Sequence, residues 1–107
     1  MRRGRVYNHG QFAGVIEEFD DRTYRFAYDE AYVADDSAHA ISLTLPKRVE
    51  PFESEHLFSF FYGLLAEGTT RQLQARILGI DEEDDFGLLL ATAKDTVGSV
   101  TIEAVQT

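Results

Sequence analysis

The densest group of side chains that could bind a cation is the acidic run at residues 81–85, which reads DEEDD. A calcium loop of the EF-hand type needs alternating oxygen ligands, a glycine at its sixth position and a glutamate at its twelfth. Counted from Asp81, those positions hold Phe86 and Thr92, so the run does not match such a loop. Because negative charge is favourable at the start of a helix, the run predicts a helix N-terminus instead.

The other residues that could do chemistry do not form the pattern of an active site. The histidines are too widely spaced to chelate zinc as a pair: His9, His39 and His56. Four serines lie outside any G-x-S-x-G context: Ser42, Ser54, Ser59 and Ser99. The glycines form neither G-x-G-x-x-G nor a Walker loop. We therefore predict no catalytic residue, no cofactor and no metal, and a binding protein rather than an enzyme.

The composition is that of a single small, acidic domain spanning residues 1–107. Hydrophobic residues make up 44% of the chain, which argues against disorder. The net charge of −9 repels phosphate backbones, so direct nucleic-acid binding is not expected. The absence of cysteine fits a reducing cytoplasm, and the apolar runs are too short to form a transmembrane helix.

Alternating apolar and polar residues predict a sheet in the first half of the chain, with one more strand near the end. The predicted strands are residues 6–7, 12–16, 23–28, 41–45 and 100–104. A hairpin turn is expected at Asn8-His9-Gly10, because asparagine and glycine tolerate positive φ, and a second turn at residues 20–22. Asp29 is expected to cap a short helical turn at residues 30–34, and Pro46 to end the strand before it.

A connector at residues 46–54 is expected to lead into an apolar helix. Its wide apolar face is predicted from the spacing i, i+3, i+4, i+7 and i+8 of Leu57, Phe60, Phe61, Leu64 and Leu65. Ser54 is the expected N-cap. Gly68 is the expected left-handed residue at the C-terminal end.

Two further helices are predicted after Gly68. Thr69 or Thr70 would cap the first, which would bury Leu73 and Ile77 and end at Gly79. The second would start at the acidic run and bury a stripe formed by Phe86, Leu89, Leu90 and Ala93. The sequence thus predicts an α+β fold, a small antiparallel sheet of four to five strands with three helices packed on it.

Two features near the first of these helices suggest a surface for a protein partner. Phe58 and Tyr62 lie off the main apolar stripe and would form an aromatic flank, although packing under the sheet or the connector explains them equally well. The turn formed by Ala66, Glu67, Gly68, Thr69 and Thr70 is expected to be exposed and to offer hydroxyls and one charge. On its residues alone, that turn is also explained as a simple connection between helices.

The order of these pieces resembles the N-terminal subdomain of HipA-type serine/threonine kinases. Five segments carry the resemblance: 24–29 (YRFAYD), 41–46 (ISLTLP), 61–68 (FYGLLAEG), 84–89 (DDFGLL) and 94–100 (KDTVGSV). No single segment is diagnostic, but all five in this order are fairly specific. The resemblance covers nearly the whole chain and implies the fold of that subdomain.

The resemblance also implies a partner. HipA-type proteins are toxin kinases, and in tripartite systems the subdomain is a separate antitoxin, HipS, of a shortened kinase, HipT. A front subdomain without a kinase body is therefore expected to act as a HipS-like antitoxin, docking on the N-lobe of a HipT- or HipA-like kinase. A HipB-like DNA-binding protein would join only through the complex. The alternatives are a non-inhibitory structural subunit and an N-terminal piece of a full HipA-type kinase.

The chain departs from the family at the turn that the resemblance makes most important. Where the family has proline in an LLPEG segment, this chain has Ala66. The residue after Gly68 is often tryptophan in the family, whereas this chain has Thr69 and no tryptophan at all. If a large aromatic at that position blocks the kinase in relatives, this chain must block it in another way.

Overall fold

The computed structural model of the chain describes residues 1–96 and 98–105. Over these ranges the fold is α+β, with one five-stranded antiparallel sheet and four helices, which confirms the predicted class. The strands are β1 (Arg2–Asn8), β2 (Gln11–Glu18), β3 (Tyr24–Tyr28), β4 (Phe52–Ser54) and β5 (Val100–Ala104). The helices are α1 (Glu30–Ala34), α2 (Ser59–Tyr62), α3 (Gly68–Leu78) and α4 (Asp85–Thr92). No helix in the described ranges combines the length and apolar character needed to cross a bilayer.

The sheet has the strand order β4-β3-β2-β1-β5, built from the predicted β1–β2 hairpin outward. At its turn, His9 and Gly10 have φ of 51° and 79°, the pair of positive values that a type I′ turn requires. Asn8, predicted as a turn residue, instead pairs with Gln11 at the end of β1. Its buried side chain donates a hydrogen bond to the Tyr32 hydroxyl at 2.9 Å, which joins the hairpin to α1.

The core lies on one face of the sheet, beneath the helices. Phe26 is its centre, with ring centroids 4.9 Å from Tyr28 and 5.5 Å from Phe61, as the predicted alternation of β3 requires. Gly14 permits close pairing of β2 with β3, because a Cβ there would lie 2.2 Å from the Ala27 carbonyl oxygen. The predicted cap of α1 is also confirmed, since Asp29 accepts a hydrogen bond from the Ala31 N–H at 3.2 Å.

The strand predicted at residues 41–45 is wrong. These residues form a turn, closed by a single bridge between Ser42 and Leu45, with Leu43 fully exposed at its tip. The buried Tyr28 hydroxyl binds the backbone on both sides of the turn, donating to the Leu45 carbonyl and accepting from the Ile41 N–H. These bonds replace the ladder that a strand would have made.

The fourth strand lies in the segment predicted to be a connector. Phe52–Ser54 pairs with β3 as β4, at an edge of the sheet. Ser54 therefore does not cap a helix, and its Oγ accepts a hydrogen bond from the His56 N–H at 3.1 Å. The predicted helix over 57–65 is reduced to α2, whose N-cap is Phe58 and whose C-cap is Gly63.

Gly68 has the predicted positive φ of 60°, but it begins α3 rather than ending the preceding helix. The N-cap of α3 is Glu67, without a side-chain capping bond, so neither predicted threonine cap is confirmed. Thr69 and Thr70 lie inside the first turn of the helix. The helix ends, as predicted, at Gly79 in the left-handed conformation with φ of 67°.

The last helix agrees with the prediction from the acidic run, and β5 agrees with the alternation of residues 100–104. Asp84 is the N-cap of α4 and accepts a hydrogen bond from the Gly87 N–H at 3.1 Å. Phe86, Leu89 and Ala93 are buried, whereas Leu90 is only partly so. In the segment 94–100, Val97 lies outside the described residues.

Candidate partner-binding surface

The two aromatic residues that were predicted to form a flank differ in how deeply they are buried. The Phe58 ring packs edge-on against the buried Phe61 ring, with centroids 6.2 Å apart, and is largely part of the core. Tyr62 is 48% exposed and lines an open cleft of about 400 Å³ together with Tyr24 and His56. Of the pair, Tyr62 is therefore the side chain that is available to a partner.

The turn at residues 66–70 is exposed, as predicted, apart from half-buried Ala66. Glu67 has an extended backbone with φ of −123° and ψ of 162°, and Gly68, with a positive φ of 60°, begins α3. The first turn of α3 contains no acidic side chain and no side-chain cap. Thr69 and Thr70 thus present their hydroxyls to solvent at the positive end of a helix.

Helix α3 is attached to the rest of the fold by a small and polar face. Its one buried residue is Ala75. Arg71 donates hydrogen bonds to the Glu82 carbonyl at 3.0 and 2.5 Å and to the Asp85 carboxylate at 2.5 Å. The helix is therefore held by one methyl group and one guanidinium rather than by large apolar side chains.

The large apolar side chains of α3 face solvent instead, which contradicts the prediction that Leu73 and Ile77 are buried. Leu73 is 53% exposed, Ile77 is 72% exposed and Leu78 is 47% exposed. The spacing i, i+4 identified one apolar face correctly, but it could not show which way the face points. The outward direction of Leu73 and Ile77 is what the sequence reasoning missed, whereas Leu78 lies about 140° from Leu73, on another side of the helix.

Two carboxylates of the acidic run form ion pairs, Asp84 with Arg2 and Asp85 with Arg71. Arg2 binds both Glu18 and Asp84 at the edge of a cleft of about 470 Å³. Its guanidinium lowers the pKa of Asp84 through the hydrogen bonds between them. Burial, with a smaller contribution from its bond to Glu18, raises the pKa of Tyr24 to about 12. Among the described residues no group of three or more potential ligand side chains could hold a metal ion.

Known proteins resemble this chain along almost its entire length. Residues 4–103 match the HipA N-terminal domain family. An uncharacterized protein of Haemophilus influenzae is 34% identical over 103 residues, which cover 96% of this chain and 92% of that protein. A solved structure of the N-terminal domain of HipA toxin superimposes with a TM-score of 0.74 at 27% identity, covering 100% of this chain and 95% of that one.

Two longer relatives from Sinorhizobium fredii place the same domain in another context. The protein named "Putative kinase Y4mE" is 34% identical over 97 residues, which cover 91% of this chain and 23% of that protein. The protein named "Putative kinase Y4dM" is 28% identical over 100 residues, 88% of this chain and 24% of that protein. This chain thus spans about a quarter of each of them. From the family match and these relatives, the chain belongs to the HipA N-terminal domain family.

Proposed function

We propose that this chain binds the body of a HipA- or HipT-like serine/threonine kinase in the bacterial cytoplasm and neutralises it, as a HipS-like antitoxin. One observation supports this most directly. The same domain makes up about a quarter of two relatives named as kinases and nearly the whole of a relative of this chain's size. A domain that occurs in both contexts can supply in trans the contacts that it makes within the longer proteins.

The exposed surface offers what such docking needs. Tyr62, the 66–70 turn and the apolar side chains of α3 are accessible. Aromatic and aliphatic side chains that become fully buried in an interface typically carry most of its binding free energy. The whole domain of residues 1–107 would take the place of a fused N-terminal subdomain on the N-lobe, with any HipB-like protein contacting the kinase and not this chain.

Inhibition would proceed through the 66–70 turn, directed at the nucleotide or activation-loop region of the kinase. In this chain a threonine follows Gly68, so the turn would block through hydrogen bonds of Thr69 and Thr70 and not through an aromatic plug. Phe58, the N-cap of α2, would help to hold that helix on the core through its contact with the Phe61 ring. The chain itself contributes binding and no chemistry.

Co-expression with a HipA-type kinase from the same genome, sought first among the neighbouring genes, tests the proposal. We expect the kinase alone to arrest growth, and this chain to restore growth and to co-purify with the kinase. Phosphorylation of a kinase substrate, measured with and without the purified chain, separates inhibition from assembly. A rise in phosphorylation would favour a non-inhibitory structural subunit, and growth arrest without co-purification would refute both roles.

A further inference from the structure

Helix α3 turns its apolar side toward solvent and its polar side toward the fold, the reverse of what is expected for a surface helix. At about 100° per residue, Thr69, Leu73 and Ile77 lie within about 80° of one another. Ala75 lies about 160° from both Leu73 and Ile77, and Arg71 lies about 160° from Leu73 and about 120° from Ile77. The face toward the fold thus carries Ala75 and the tethered Arg71, and the outward face carries the two large aliphatic side chains. Surface helices normally turn their apolar stripe inward.

This outward face is continuous with the surface proposed above. Thr69 belongs both to the 66–70 turn and to the same helical face as Leu73. A partner that contacts the turn would therefore meet the apolar side chains one and two turns farther along α3. The turn and the helix form one surface instead of two separate ones.

The charge of α3 indicates what kind of surface covers it. The helix contains Arg71 and Arg76 and no acidic residue, in a chain with a net charge of −9. Arg76 is exposed, lies at the edge of the apolar face and makes no ion pair within the described residues. A second copy of this chain is a poor occupant, because two strongly acidic chains repel each other. An apolar patch with an acidic rim suits the face better.

We infer that the outward face of α3, formed by Thr69, Leu73 and Ile77 with Arg76 at its edge, docks on an apolar patch with an acidic rim on a HipA-type kinase body. The identity of the partner rests on the proposed function, whereas the face that docks follows from the burial and charge of α3. Leu73 and Ile77 supply the buried contact, and Arg76 pairs with a carboxylate of the partner.

The decisive variant is Leu73→Ala with Ile77→Ala, measured by titration calorimetry for binding to the HipA-type kinase that the co-expression experiment identifies. We expect the Kd to rise about tenfold or more, as for truncation of central interface side chains. The higher helix propensity of alanine offsets part of the apolar contact that partly buried Leu73 and Ile77 lose, so the thermal midpoint should change little. Measuring the midpoint of the variant shows whether it is folded when its affinity is compared.

A matched control removes the same kinds of side chain elsewhere. Leu43 and Val49 are 101% and 66% exposed and lie outside α3, so Leu43→Ala with Val49→Ala should change the Kd less than about threefold. Arg76→Glu should weaken binding more at low than at high salt, since screening reduces the repulsion it introduces. Both results would support docking through α3.

Four outcomes would overturn the inference. Unchanged affinity in the α3 double variant, or an equal loss in the control, rejects α3 as the docking face while the proposed function stands. If the unaltered chain does not bind the kinase, the docking face and the proposed function are both rejected. If light scattering shows that the chain dimerises and that the α3 double variant is monomeric, the occupant is a second copy and not a kinase.

Discussion

Arg2 and Asp84, which are 82 residues apart in sequence, are joined by two hydrogen bonds of 2.9 Å. Arg2 also donates to one oxygen of Glu18 at 3.0 and 2.6 Å. Asp84 is at the same time the N-cap of α4. A single planar guanidinium therefore joins β1 and β2 to the start of α4, a geometry that lysine could not reproduce.

Arg2→Ala should lower the free energy of unfolding by about 1–2 kcal/mol, because it removes charge-assisted hydrogen bonds from a site that is only partly exposed. The matched control is Arg5→Ala. Arg5 pairs with Glu103 at 3.4 Å, with side chains 49% and 63% exposed, so its loss should cost less than about 0.5 kcal/mol. Urea denaturation at neutral pH measures both, and equal losses would contradict the structural role of Arg2.

Asp84 should make stability depend on pH in the acid range. Its pKa is lowered in the folded state, chiefly by the hydrogen bonds from Arg2. The unfolded chain therefore binds this proton more readily, so the contribution is present above about pH 4 and is lost as the pH falls through the folded-state pKa. In Asp84→Asn, which keeps a capping side chain, the curve of unfolding free energy against pH should be flatter below about pH 4.

Denaturant titrations between pH 7 and acid pH, for the unaltered chain and Asp84→Asn, compare the two curves. A curve of unchanged slope in the variant would show that other carboxyl groups cause the acid sensitivity. Combining Asp84→Asn with Arg2→Ala provides a second check at neutral pH. Since the two residues contact each other, the combined loss should be smaller than the sum of the separate losses.

The sheet could be predicted where its signals are local. The β1–β2 hairpin and the alternation of β3 follow from neighbouring residues, and both are present. The segment 41–45 alternates in the same way but forms a turn, because the Tyr28 and Tyr32 hydroxyls bind backbone carbonyls in and beside it. Those contacts join residues 7 and 17 positions apart, and a period of two cannot reveal them.

The exposure of the 66–70 turn could be predicted from the sequence, whereas the outward direction of the apolar face of α3 could not. Glycine at position 68 and the short polar residues around it indicate an exposed turn, and the turn is exposed. The pair Leu73 and Ile77 indicates a helical face, but the same spacing fits a buried face and an interface. The direction in which this apolar face points is set by Arg71, because its hydrogen bonds to Glu82 and Asp85 turn the polar side of α3 inward.

Tyr28→Phe should lower the free energy of unfolding by about 1–3 kcal/mol. The substitution leaves the Ile41 N–H and the Leu45 carbonyl, both in buried residues, without the hydroxyl that bound them. Tyr62→Phe is the control, because this tyrosine is 48% exposed and removal of its hydroxyl should have little effect. Hydrogen exchange at the Ile41 amide should accelerate in the first variant alone, and unchanged protection there would contradict this role of Tyr28.

The variants Gly68→Ala and Gly79→Ala test whether the proposed inhibition depends on the shape of the 66–70 turn or only on the stability of α3. Both glycines have positive φ, of 60° and 67°, and a Cβ at either would meet no atom within 4 Å. Each substitution should therefore cost about 1 kcal/mol through backbone strain alone.

If the chain neutralises a kinase as proposed, the two substitutions should differ in their effect on that inhibition. Alanine at position 68 favours a negative φ, which would redirect Glu67 and the start of α3 away from the kinase, whereas position 79 lies at the opposite end of the helix. In a phosphorylation assay at saturating kinase substrate, Gly68→Ala should inhibit poorly and Gly79→Ala should inhibit like the unaltered chain. If both variants lose inhibition in proportion to their lost stability, the turn has no role beyond joining α2 to α3.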